Sequence, residues 1–407
     1  MRVLAKANRI AVLVSGICAL ILSMGIARYS FTPMLPVMQD QLGVSESLAG
    51  WLAGWHYIGY IVGLFIVWLI TDLRTKDFFY RYGLVVSVIA TGFMAALDHS
   101  LIWYVSRFFA GITSATSFML GTGLILNWLN HNGYKSELGL HFAGIGIGIM
   151  CSAIIVDSSG IGTWLNLNWR MQWITLATVA AVLLIPAIFL LPRPKERELE
   201  MSRDRDVNLN TIVKIPPARW LILMQCAYFC AGFSNTANVT FTSLIAELQP
   251  LEGLGAKMWL LVGITATPAP LIWDRLARRI GRLDALRLAF ILNIVGNICL
   301  ALTNSVETTA IAAMLFGFTF MGIVSLTLST IGHIYGARAT QVMARLTFSY
   351  CIAQILSPIL AGTIAEMTGS FTTPLFVIST IMLLGLCFLL AARRYSPQQT
   401  RPQPIRP

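Results

Sequence analysis

Charge is scarce in this sequence. Only 12% of its 407 residues are charged and 56% are hydrophobic, whereas a soluble domain carries about 25% charged residues. Mean hydropathy is +0.72. A water-soluble core cannot absorb this much apolar side chain, because single cores stop growing at about 250–300 residues. The deficit excludes a soluble enzyme, a nucleic-acid reader and a disordered chain, and it requires lipid as solvent. Acidic residues are scarcer than basic ones, 18 against 29, which leaves a net charge of +11. A nucleic-acid-binding face would gather that excess on one side of a polar fold. Here the basic residues sit in short loops between apolar runs, where membrane insertion selects them.

Cysteine offers no framework. Cys18, Cys151, Cys226, Cys230, Cys299, Cys351 and Cys387 all lie inside apolar runs, and the close pair Cys226 and Cys230 has helical i,i+4 spacing with no histidine cluster nearby. They read as small packing residues rather than metal ligands. The sequence shows no Ser/His/Asp constellation, no metal-ligand spacing and no nucleotide-binding domain, so no enzyme, no cofactor and no ATP-driven pump is expected. The start, with Arg2, Lys6 and Arg9 ahead of an apolar stretch, is similar to a signal peptide. The stretch continues to Arg28 and Pro33 without a small-x-small cleavage site, and reads as a first transmembrane helix.

What is abundant is the long apolar run. About 20 mostly apolar residues cross a bilayer as a helix, and twelve such segments are expected. The first six cover 10–36, 46–71, 79–97, 100–129, 136–157 and 169–191. The second six cover 217–246, 257–275, 284–303, 307–335, 340–366 and 371–392. With the N-terminus inside, 25 of the 29 basic residues fall on the cytoplasmic side; Arg170 and Lys257 fall outside, and Arg28 and Arg107 fall within helices. That asymmetry places both termini in the cytoplasm. The longest polar stretch, 192–216, mixes both charge signs and reads as a solvated linker. The expected organisation is a six-helix bundle over 1–191, the linker, a second bundle over 217–392, and a cytoplasmic tail over 393–407.

The halves are weakly self-similar at an offset near 205. Asp72 and Asp274 each close a second helix before a basic loop, and the Gly25–Arg28 stretch aligns with Gly232–Asn235. Parallel duplication of this kind suits a transporter whose halves rock around a midplane site. The strings Gly25-Ile-Ala-Arg28-Tyr-Ser-Phe-Thr-Pro33-Met-Leu-Pro36-Val-Met, Ala49-Gly-Trp-Leu-Ala with Tyr57-Ile-Gly-Tyr60, and Gly139-Leu-His-Phe-Ala-Gly144-Ile-Gly146-Ile-Gly148 resemble the major facilitator superfamily, and its YbfB/YjiJ branch in particular. Leu276-Ala-Arg-Arg-Ile-Gly281-Arg282 fits the same superfamily. The resemblance implies an all-α membrane fold of two pseudo-symmetric six-helix halves and a transport function. It also implies gating roles for the loop residues Asp72, Arg74, Asp274, Arg275 and Arg282. The loop after helix 2 departs from the superfamily's G-x-x-x-D-R-x-G-R-R form, with Trp68 at the glycine and Leu73 at the arginine. Helix 5 lacks the exchanger signature's proline, and helix 7 has Asn235 where the branch has tyrosine.

Two arginines inside helices carry the strongest chemical signal. Arg28 lies ~18 residues into helix 1, ~27 Å from its start at 1.5 Å per residue, and Pro33 and Pro36 follow it. An intramembrane charge costs at least ~2.5–3.5 kcal/mol and faces a cavity or a partner. Arg28 is either a clamp for an anionic group of a solute, through the fork of its guanidinium, or an arginine tied to carbonyls at a broken helix end. Arg107, in Arg107-Phe-Phe-Ala-Gly111, lies ~7 residues into helix 4; the resemblance links that element with proton coupling, and the alternative is a lock bonded to helix 1 or 2. No Asp or Glu falls mid-helix, which leaves the interior electropositive and favours an anionic or zwitterionic solute over a cationic drug.

His56, beside Tyr57 and Tyr60, titrates near pH ~6.5 when unperturbed and is the first candidate for carrying a proton; Asp157 is the second. The alternative for His56 is a neutral interhelical hydrogen bond. In helix 7, Gln225, Tyr228, Asn235 and Asn238 either line a central cavity or bond neighbouring helices, a bond worth only ~0.6 kcal/mol on average. Gly144, Gly146 and Gly148 read as a packing surface, here against helix 8. The expected protein is a monomeric secondary transporter of a small organic solute in the cytoplasmic membrane, coupled to protons as a symporter, with lipid and solute as its partners and no nucleic acid. A drug or metabolite exporter, and a non-transporting sensor or scaffold, are the alternatives.

Overall fold

The structure, a computed structural model, describes residues 8–70, 72–134, 138–156, 168–194, 216–248, 253–302, 305–335 and 339–395. Within them the chain is helical, with no strand. Twelve helical segments follow one another: α1 Arg9–Leu42, α2 Glu46–Leu69, α3 Leu73–Phe93, α4 Ser100–His131, α5 Leu138–Val156, α6 Trp169–Phe189, α7 Ala218–Glu247, α8 Leu254–Ala266 with Ala269–Ile280, α9 Arg282–Leu302, α10 Val306–Tyr335, α11 Ala339–Thr368 and α12 Thr372–Arg393. Among the described residues, eight of these are long and apolar enough to cross a membrane, or nine when the bent pair of α8 counts as one span. The other three fall short for visible reasons. α3 opens on Arg74, Lys76, Asp77 and Arg81, α7 is rich in Asn, Ser and Thr, and the described apolar part of α5, His141–Val156, is short.

Local chemistry sets the helix ends. Ser45, Asp72 and Asn168 each accept a hydrogen bond from a backbone N–H of the following turn, which satisfies donors that a helix start leaves orphaned. Gly43, at φ 66°, ends α1 in the left-handed conformation. Three helices depart most from the expected bounds, α8 by running from Leu254 to Ile280 rather than over 257–275. α1 runs to Leu42, because Pro33 sits in the first turn of a restarted segment, Phe31–Leu42, where a missing N–H costs little, and the segment continues through Pro36, which lies inside it. α3 begins at Leu73 rather than near 79, because the Asp72 cap draws the basic loop into the helix. α8 bends by 44° at its break, ahead of Pro268.

Glycines let the helices approach closely. A methyl group at Gly111 would lie 1.9 Å from the His56 carbonyl oxygen, and one at Gly59 2.0 Å from that of Phe108, so α2 and α4 pack backbone to backbone. The helix 5 glycines divide their work. Gly146 meets Thr267 of α8, as expected, whereas Gly144 and Gly148 meet Ile17, Ile21 and Gly25 of α1. α2 meets α11 at Gly50, where a methyl would touch the Pro358 carbonyl, and Gly362 meets Glu46.

The polar contacts have a sidedness. Among the described residues, the hydrogen bonds between the first six helices and the last six are Thr32 Oγ1 to the Val239 carbonyl and the Ser47 N–H to the Glu366 carboxylate, the latter at 2.9 Å. Both lie away from the end that carries Arg9, Arg81 and Arg282. At that basic end the bonds among the described residues include Ser15 to Ala187, Arg81 to Ile188 and Leu191, and Arg282 to Ser329, each within one half.

The glycine contacts generate a direct test. Gly111→Val forces overpacking, which costs about 1–3 kcal/mol, and should lower the melting temperature in detergent. Gly123→Ala, at a position with nothing within 4 Å, should leave it unchanged.

Candidate functional site

The site begins with a defect in α1. Residues Ile21–Ile26 form a π-helical segment; the N–H groups of Ala27 and Tyr29 reach back five residues, to Leu22 and Met24, at 2.9 and 3.1 Å. Such bulges are frequent at functional positions. The chain then turns through Ala27–Ser30 before the helix resumes. Pro33 has no N–H for the Tyr29 carbonyl, and the Thr32 N–H takes that acceptor at 3.3 Å. The Arg28 carbonyl therefore needs another donor. Arg107 supplies it: Nη1 donates to the Ala27 carbonyl at 3.2 Å and Nη2 reaches the Arg28 carbonyl at 3.5 Å, with the guanidinium 4.6 Å from the centre of the Phe31 ring. Arg107 is 3% exposed and is engaged with helix 1, the lock geometry.

Arg28 itself is 7% exposed. Its guanidinium carbon lies 5.0 Å from the ring centre of Tyr29, 5.2 Å from Tyr57 and 4.8 Å from Tyr60. Its Nε has no hydrogen-bond partner. Cation–π contacts soften a buried charge, each by about 0.5–2 kcal/mol, but they do not neutralise it. Among the described residues the one buried carboxylate is Asp77, which Arg81 Nε already grips through both oxygens at 3.0 and 2.9 Å.

A second polar cluster faces this cage. Tyr350 of α11 stacks 4.5 Å from Tyr228 and accepts a hydrogen bond from Asn235 Nδ2 at 3.2 Å. Asn293 Nδ2 lies 3.4 Å from Asn235 Oδ1 and 3.0 Å from Thr319 Oγ1. Ser234 donates to Asn293 at 2.8 Å, Asn238 donates to Asn297 at 2.8 Å, and Asn297 donates to Ser234 at 2.9 Å. The amides thus tie α7 to α9, α10 and α11. Asn235 stands at the edge nearest the tyrosines; Asn238 is fully engaged inside the network. Gln225 is half-buried, one turn before Tyr228 on α7.

The remaining sequence candidates fall elsewhere. His56 is fully buried, edge-on to Tyr57 at 5.4 Å and packed against the α4 backbone; neither ring nitrogen makes a well-formed side-chain hydrogen bond. Asp157 lies outside the described residues. Asp72 caps α3, accepting from Thr75 N–H at 2.8 Å and Oγ1 at 2.9 Å, which holds its carboxyl below the usual range. Arg74 and Arg275 are exposed at the basic end. Asp274 pairs with Arg278 at 2.5 Å, and Arg282 reaches Ser329 at 2.8 Å and His333 at 2.6 Å. The sequence reading missed Tyr29, Tyr350, Asn293, Asn297 and Thr319 as parts of this constellation. Asn293 and Asn297, at i,i+4 spacing in the apolar second half of α9, carried a legible signal; Tyr350 did not.

The chain belongs to the family described as uncharacterised MFS-type transporter YbfB, whose sequence model matches residues 20–390. It is 22% identical over 390 residues to the probable sulfoacetate transporter SauU of Cupriavidus necator, covering 88% of each chain. It is 24% identical over 268 residues to the uncharacterized MFS-type transporter YceJ of Bacillus subtilis, spanning 64% of this chain and 66% of that protein. The fold matches the nucleoside transporter NupG with a TM-score of 0.73 at 13% identity, covering 94% of this chain and 100% of that one. It also matches a bacterial homolog of the human lysosomal transporter Spinster, in an inward-facing and occupied conformation, at 0.71 and 12% identity over 96% and 98%. These structural likenesses concern the fold alone.

The amide network carries its own test. Asn297→Leu strands Asn238 and Ser234 in an apolar surrounding, and an unsatisfied buried group costs about 1–3 kcal/mol. A melting temperature lowered by several degrees in detergent is the expected result. An unchanged melt would mean that the network does not brace these helices.

Proposed function

We propose that this protein is a secondary active transporter of a small organic anion, or of a zwitterion held by its anionic group, across the cytoplasmic membrane. The observation that carries this reading is Arg28, a buried guanidinium caged by Tyr29, Tyr57 and Tyr60 with an unpartnered Nε, while the one buried carboxylate among the described residues, Asp77, is held by Arg81. A solute carboxylate or sulfonate would supply the missing counter-charge through charge-assisted hydrogen bonds. The relative named as a probable sulfoacetate transporter fits an anionic cargo. A cation exporter would need an interior acid.

In this reading the solute sits between the halves. Arg28 and Tyr57 hold its charged end, while Tyr228, Asn235 and Gln225 meet its polar end from α7. Arg107 positions Arg28 by fixing the break in α1. The bundles 1–191 and 217–392 rock about this point, joined by the linker 192–216, with both termini and the tail 393–407 in the cytoplasm and the protein working as a monomer. The contacts of Thr32 and Ser47 with the second half close the outer end, and the basic loops around Asp72, Arg74, Asp274, Arg275 and Arg282 change partners when the inner end closes. Proton coupling completes the scheme, with His56, edge-on to Tyr57, or Asp157 as carrier.

The experiment is uptake into proteoliposomes of radiolabelled mono- and dicarboxylates and small sulfonates. A charge-assisted hydrogen bond is worth about 1.5–3 kcal/mol, so Arg28→Gln should reduce uptake by about 10–100-fold while leaving expression and folding intact. Arg28→Lys should retain part of the activity. Wild-type uptake by Arg28→Gln would overturn the assignment.

A further inference from the structure

The amide network that ties α10, α9, α7 and α11 together has a direction. The Thr319 hydroxyl donates to the Leu315 carbonyl at 2.7 Å, so toward Asn293 it can only accept. Asn293 therefore turns Nδ2 to Thr319 at 3.0 Å and Oδ1 to the Ser234 hydroxyl at 2.8 Å. The same Nδ2 lies 3.4 Å from Asn235 Oδ1, which leaves Asn235 Nδ2 to donate to the Tyr350 oxygen at 3.2 Å. A phenol both accepts and donates. Tyr350 ends the chain as an acceptor, and its own proton has no acceptor among the described residues.

The position of Tyr350 gives that proton a use. The residue is 7% exposed. Its ring rests on the α7 backbone, where a methyl at Gly232 would lie 3.0 Å from it, and 4.5 Å from the ring of Tyr228. Across the boundary between the halves it interacts electrostatically with Arg28, Tyr29 and Tyr57. The next residue, Cys351, packs in one cluster with Tyr60 and Ala115. Arg28 cannot take the proton, because a guanidinium is a donor with no lone pair to offer. Two buried donors, one on α1 and one on α11, thus face each other with nothing to accept from them, and a buried donor left unsatisfied is costly.

We propose that Tyr350 is a specificity-determining residue of the solute site, whose hydroxyl donates to the anionic group held at Arg28. The proposal rests on the reading of Arg28 as an anion clamp and narrows it. The anionic group must offer oxygens to a guanidinium and a phenol at once, as a carboxylate or sulfonate does. One anion is then gripped from both halves. A solute that bonds α1 to α11 stabilises the arrangement in which the halves enclose it.

The test is isothermal titration of the full-length protein in detergent with acetate, propionate, lactate, methanesulfonate and ethanesulfonate. Tyr350→Phe keeps the ring on Gly232 and Tyr228 and removes only the hydroxyl. Loss of a hydrogen bond to a charged group should weaken anion binding by about 10–100-fold. Arg28→Gln should weaken it as well, and the Arg28→Gln/Tyr350→Phe pair should bind no more weakly than Arg28→Gln alone, because both side chains serve one group. The melting temperature without ligand checks that each variant is folded. Wild-type affinity in Tyr350→Phe, beside lost affinity in Arg28→Gln, would overturn this proposal and leave the anion reading standing. Losses that multiply in the double variant would also overturn it, since Tyr350 would then act through packing. Wild-type affinity in Arg28→Gln, or no binding of these anions by the unaltered protein, would overturn the anion reading and this proposal with it.

Discussion

The structure turns on a guanidinium that cannot discharge itself. Arginine stays protonated in proteins, and the interior around Arg28 offers tyrosine faces instead of a carboxylate. The surrounding architecture follows from accommodating that charge. The π-helical segment and Pro33 break α1 beside it, Arg107 satisfies the carbonyls that the break exposes, and three aromatic rings screen the charge. A second buried cation therefore serves the first by holding its backbone.

Close packing brings the two polar clusters together. Gly59 and Gly111 bring α2 and α4 into backbone contact, which holds Tyr57 and Tyr60 of α2 against the helix that bears Arg107. Gly232 allows Tyr350 to lie on the α7 backbone, where it joins Tyr228 and Asn235. Without side chains at these positions, helices can approach and shift against one another. The same small surfaces, Gly146 on Thr267 and Gly50 on Pro358, join the two halves, where a rocking transporter would need contacts that slide.

Much of the fold was legible in the sequence, because apolar runs and basic loops state a membrane topology directly. The expected segments agree with α2, α4, α6, α7 and α9–α12 to within a few residues, and the departures have local causes: the Asp72 cap, the restart after Pro33 and the break before Pro268. Arg28 was legible because a charge in an apolar helix has no cheap explanation. Its setting was not. Tyr29 and Tyr350 are unremarkable in sequence, and their convergence depends on tertiary packing between α1, α2 and α11. Likewise Asn238, read from α7 alone, could line a cavity or brace a neighbour, and only the position of Asn297 on α9 distinguishes the two.

The central claim is that the caged arginine waits for an anion. The most direct measurement is a thermal-shift screen of the purified protein in detergent, against carboxylates, sulfonates, amino acids, sugars and lipophilic cations. A ligand at 100 times its Kd adds about 2.7 kcal/mol to stability, enough to move the melt by a readable amount. Stabilisation by carboxylates or sulfonates, and none by the cations, is the predicted result. A shift produced by lipophilic cations alone would contradict the account and make Arg28 a structural residue.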